Sequence, residues 1–82
     1  MSKRFYDHYA VAKRVARHIS EAGFPDWGRQ ILNAITASFT ATEILMAIRW
    51  QLNGFKNTKP KISDSIKTEI DELIEKTNEA LK

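Results

Sequence analysis

Apolar residues recur every three or four positions along almost the whole chain, and almost nowhere do they alternate with polar ones as a half-buried strand requires. That spacing restricts the chain to helices, and its 82 residues leave room for one domain. Four segments carry the pattern, at about 5–22, 25–37, 41–53 and 64–81. In the first, Phe5, His8, Tyr9, Ala12, Val15, Ala16 and Ile19 gather on one face, and Lys13, Arg14 and Arg17 lie on the other. Gly23 follows in the place where helices end on a left-handed residue. The second segment opens at Pro25, which suits a first helical turn because the N–H it lacks has no partner there. Trp27, Ile31, Ala34 and Ile35 form its inner side, with Leu32 at the margin.

Thr40-Ala41-Thr42-Glu43 reads as a capping box at the start of the third helix, with Phe39 and Ile44 placed as a hydrophobic staple. Ala41, Ile44, Leu45, Ile48 and Leu52 make the inner stripe, and Gly54 is expected to end the helix. A basic loop at 55–62 follows, in which Pro60 blocks helical continuation. Ser63 caps the fourth helix, whose stripe is Ile66, Ile70, Leu73, Ile74, Thr77 and Leu81. Asp71, Glu72, Glu75 and Glu79 form its outer side, with Glu72 and Lys76 spaced as an i,i+4 pair. Four amphipathic helices with short links predict an all-α, single-domain four-helix bundle over 1–82. The three-residue link before Ala41 sets helices two and three side by side.

Composition removes several kinds of chemistry. Without cysteine there is no disulfide, thiolate zinc site or nucleophilic thiol. The N-terminus has no apolar segment of the secretory type, and the longest strongly apolar run, Ile44 to Ile48, is far short of the roughly 20 residues that span a bilayer. A cytoplasmic protein without a membrane partner is the expectation. The net charge of +3 conceals a gradient along the chain. Residues 1–30 hold six Lys/Arg against three acids, and residues 61–82 hold four against six.

No catalytic or metal signature emerges. His8 and His18 are separated by about 15 Å along one helix, too far to share an ion. His8 falls on the apolar arc and reads as a hydrogen-bonded core or margin residue. Glu43 is accounted for by the capping box. Acids projecting from one helix face do not enclose a cation, and no glycine-rich phosphate loop is present. We therefore expect a non-enzymatic protein with no metal, cofactor or catalytic residue.

Binding surfaces are more legible. Met46 and Trp50, four residues apart on the third helix, point well away from its inner stripe. Such a helix is either enclosed by the bundle on both sides or sticky on its outside. In the second case Met46, Arg49 and Trp50 are natural anchors for another protein, these residue types being enriched at interface centres. Small size, one specific surface and no chemistry are what an inhibitor or adaptor of the immunity-protein or antitoxin kind needs, and a protein of that kind is the expectation. A nucleic-acid binder is the alternative, using Lys13, Arg14 and Arg17 with Tyr6 beside them, helped by the Lys56–Lys61 loop. A homodimer burying Trp50 is a third possibility. Helices two and three also invite comparison with a helix-turn-helix, which would offer Thr42, Glu43, Met46, Arg49 and Trp50 to DNA.

Overall fold

A computed structural model describes residues 6–37 and 40–82. It contains four helices: α1 (His8–Glu21), α2 (Pro25–Ala37), α3 (Ala41–Asn57) and α4 (Asp64–Ala80). There is no strand among the described residues. Each helix packs on its neighbours in sequence, and α4 closes the ring against α1. Contacts between opposite ends give the directions. Trp27 at the start of α2 meets Gly54 near the end of α3, and His8 at the start of α1 bonds the Lys76 carbonyl near the end of α4. Lys56 late in α3 pairs with Asp71 midway along α4, while Arg49, a turn and more earlier, reaches Asn78. Adjacent helices therefore run antiparallel, as an all-α four-helix bundle with short links requires. The α2–α3 pair touches far from its turn, which a helix-turn-helix, diverging at roughly 90–120°, does not do.

The expected stripes supply most of the core, although Ala41 at the head of the α3 stripe is exposed and Phe55, expected in the loop, is buried. Ala12, Val15, Ala16, Ile19, Ile31, Ile48, Leu52, Ile70 and Leu73 are buried, with Phe55 among them. Buried Thr77 satisfies its hydroxyl by donating to the Leu73 carbonyl at 2.7 Å. Phe5 and Phe39, the latter half of the expected staple, lie outside the described residues.

Local chemistry explains the helix ends. Helix α1 begins at His8, three residues later than the apolar spacing suggests, because the Asp7 carboxylate caps it by accepting from the Ala10 N–H at 3.0 Å. At its other end Gly23 has φ 107°, and the Phe24 and Gly23 amides donate to the carbonyls of Ile19 and Ser20. That is the double closure of a Schellman motif. The capping box of α3 is formed in both directions: Thr40 Oγ1 accepts from the Glu43 N–H at 3.1 Å, and the Thr40 N–H donates to Glu43 Oε1 at 3.2 Å. Ser63 caps α4 by accepting from the Ile66 N–H.

A second boundary departs further from expectation. Helix α3 passes through Gly54 and ends at Asn57, so the basic loop starts at Thr58 instead of residue 55. Gly54 is a seat for Trp27: a Cβ there would stand 3.3 Å from the indole. The next residue, Phe55, is fully buried, with its ring 5.2 Å from Phe24 and 5.6 Å from Trp27. Burying a phenyl ring stabilises by about 1.5–3 kcal/mol, more than the ~1 kcal/mol a glycine costs inside a helix. The extra turn ends on Thr58, whose hydroxyl donates to the Phe55 carbonyl at 2.6 Å. Pro60 stands where a Schellman motif would use an amide donor, so this hydroxyl takes its place.

Gly28, in the interior of α2, has a different function. A Cβ there would fall 1.9 Å from Ser20 Oγ and 2.7 Å from the Ala16 carbonyl oxygen, so only glycine lets α2 approach α1 this closely.

Two substitutions test this packing. Phe55→Ala should cost about 3–5 kcal/mol in a urea melt, and a loss comparable to that of a surface change would mean that the last turn of α3 is not docked. Gly28→Ala should cost about 1–3 kcal/mol through overpacking at the α1–α2 contact.

Candidate functional site

The outward face of α3 is set by the same periodicity that builds the core. Ile48 and Leu52 point inward and are fully buried. Met46 and Trp50 therefore emerge on the far side, where Met46 is 50% and Trp50 76% exposed. Of the two readings left open by their spacing, enclosure by the bundle is excluded for the described residues. Leu32 on α2, 43% exposed, is the only other large apolar side chain among the described residues with comparable accessibility.

Met46, Ala47, Arg49, Trp50 and Asn53 line an open groove along this face. Arg49 is held from one side, its Nη1 donating to Asn78 Oδ1 of α4 at 2.8 Å. That bond ties the guanidinium to α4 and leaves further N–H donors for a second partner. The groove thus combines a large aromatic, a flexible thioether and a positioned cation. It offers no nucleophile, and no carboxylate lines it.

The basic side of α1 is less open than its sequence suggests. Lys13, Arg14 and Arg17 are all exposed. Arg14, however, places Nε 3.5 Å from Glu69 Oε2 of α4, and His18 donates from Nδ1 to the other oxygen at 2.7 Å. The two α1 side chains grip one partly buried carboxylate and tie α1 to α4. Tyr6 is near Arg14 but does not present a free ring beside the basic residues, since its hydroxyl is buried. Its ring packs edge-on to His8 at 4.8 Å, and Lys76 Nζ lies 5.7 Å from its centroid. Lys76 turns to that ring instead of closing the expected ion pair with Glu72. His8 is the satisfied margin histidine its position implied, its Nε2–H donating to the Lys76 carbonyl at 3.2 Å.

The His18–Glu69 pair was not legible in the sequence, because 51 residues separate its members. A carboxylate that orients a histidine is half of a catalytic constellation, and Ser65 lines the same shallow groove. No hydrogen bond joins Ser65 to His18, and Arg14 occupies the carboxylate's second oxygen. The arrangement is a tie between helices. No group of three or more metal-ligating side chains occurs among the described residues. Nor is any helix among them long and apolar enough to cross a membrane.

No protein-family model, curated protein or solved structure matches the chain.

Among the described residues Tyr6 is the group whose acidity is clearly perturbed. Burial pushes its phenol above the ordinary value, the Glu72 carboxylate adds to the shift, Arg14 opposes it, and Glu69 raises it slightly further. Its hydroxyl oxygen is buried with no hydrogen-bond partner among the described residues. The unfolded chain releases this proton near pH ~10, and the folded chain only above that. Within that window the unfolded state holds fewer protons, so the contribution to stability is full below pH ~10 and declines as pH rises. Tyr6→Phe should flatten the alkaline arm of the stability–pH profile relative to wild type. At neutral pH it should be neutral or stabilising by about 1 kcal/mol, since an unsatisfied polar group is removed. An unchanged alkaline arm in denaturant melts from pH 9 to 11 would contradict this account.

Proposed function

We propose that the chain is a non-enzymatic interaction protein that binds another protein through the outward face of α3, with Met46, Arg49 and Trp50 as its anchors. In this reading it acts in the cytoplasm as an inhibitor or adaptor, in the manner of immunity proteins and antitoxins. One observation carries the reading: Trp50 and Met46 stand exposed on a helix whose other face is already buried. An indole left in water contributes nothing to the fold, whereas docked in a partner's pocket it is among the side chains that dominate binding energy. Arg49, held by Asn78, can reach a partner's carboxylate or carbonyl at reduced entropic cost. The small size suits a partner that supplies its own chemistry. Use of the α1 basic side for nucleic acid has less behind it, because Arg14 is engaged with Glu69 and Tyr6 faces inward.

The test is affinity capture with the wild-type chain, followed by titration of the purified partner. Trp50→Ala should weaken that affinity by about thirtyfold or more, as for an interface anchor. It should shift the unfolding free energy by no more than about 0.5 kcal/mol, as for a surface residue. Equal binding by the folded variant would exclude this face. Concentration-dependent sedimentation of the chain alone, lost in Trp50→Ala, would make a second copy the occupant.

A further inference from the structure

Where α3 hands over to α4, a pocket of about 440 Å³ opens between the last turn of α3, the connecting loop and the first turns of α4. Its volume lies in the range of small-molecule sites. Four of its lining residues are lysines, Lys56, Lys59, Lys61 and Lys67, and Pro60 and Ile62 give it an apolar wall. Asp64 is the single acid in the lining. Lys56 is already neutralised, its Nζ 2.6 Å from Asp71 Oδ1. Among the described residues no carboxylate lies within ion-pair distance of Lys59, Lys61 or Lys67. Lys59, Lys61 and Lys67 set three positive charges in the lining against the single Asp64 carboxylate, so an anion seated there meets a net attraction.

The backbone supplies a second observation. Lys59 has φ 53°, the one positive value among the described non-glycine residues. It sits in the left-handed place just after the α3 C-cap, where glycine is the usual occupant, and its amide donates to the Lys56 carbonyl at 2.9 Å. The residue before a proline is also biased towards extended conformations, so Lys59 runs against two local preferences at once. Glycine would hold the same turn with less strain but would remove an ammonium from the rim. Strain of this kind gathers where a site needs a particular side chain.

We propose that this pocket binds a phosphate-bearing small molecule, with Lys59, Lys61 and Lys67 on the phosphate and Pro60 and Ile62 against its apolar part. The lysines ring a concavity instead of following a groove, and no aromatic side chain lines it to stack a base. Both features favour a small ligand over a single-stranded nucleic acid. The site is separate from the Met46–Trp50 groove and does not depend on it.

Amide-resolved NMR titration of the full chain at low ionic strength decides the matter, with inorganic pyrophosphate and a phosphorylated sugar as probes and sulfate and a short oligonucleotide as comparators. We expect saturable shifts confined to residues 56–70, with either phosphate probe binding more tightly than sulfate. Lys61→Gln and Lys67→Gln should each weaken binding several-fold. Lys59→Gly should raise the Tm by about 2–5 °C while also weakening binding, a combination that a purely structural lysine would not produce. Shifts that do not saturate, or that spread over Lys13 and Arg17 as strongly as over the pocket, would overturn the proposal. Tighter binding of the oligonucleotide at the same amides would replace the small molecule with a nucleic acid.

Discussion

The packing of Phe55 beneath Phe24 and Trp27 is the contact on which the rest of the arrangement depends. It joins the end of α3 to the beginning of α2 and fills the core at that end of the bundle. Because the ring has to be buried, α3 continues past a glycine and stops only at Asn57. The connection to α4 is thereby reduced to residues 58–63. With so short a link, Lys56 comes within reach of Asp71 on α4. The same shortening gathers the lysines of the α3–α4 turn round one pocket.

The closure of α4 against α1 is of another kind. Its apolar part, to which α1 brings Val15 and Ile19 and α4 brings Ile70 and Leu73 in the shared core, supplies most of the energy. The polar ties along the edge are individually weak, since partly exposed ion pairs contribute about 0–1 kcal/mol. Their value lies in selectivity. Glu69 is held by Arg14 and His18, and His8 by the Lys76 carbonyl, so sliding α4 by one turn would break all three contacts together.

Helix α3 serves both the interior and the exterior. Its inner stripe is core, its outer stripe carries Met46 and Trp50, and its C-terminal turn supplies Lys56 and leads into Lys59. Trp50 in water and Lys59 in a left-handed backbone are both choices that stability alone would not make. Departures of this sort from local consistency are where binding is expected to reside. Gly28 and Gly54 depart from helix propensity for another reason, as both make room for a neighbour.

By itself the sequence determined the four helices, the capping box at Thr40, the stop at Gly23 and the inner stripes, including the placing of Met46 and Trp50 off the stripe of α3. All of these depend on hydrogen bonds and spacings that span a few residues, so they are written locally. The tertiary structure decided what local pattern could not: that α3 runs on to Asn57, that Gly28 is a point of helix contact, that Tyr6 turns inward, and that Glu69 meets Arg14 and His18. It also decided that no other helix among the described residues covers Trp50. Each of these depends on which surfaces meet when the helices dock, and a glycine or a histidine reads the same in sequence whether or not a distant side chain comes to rest against it.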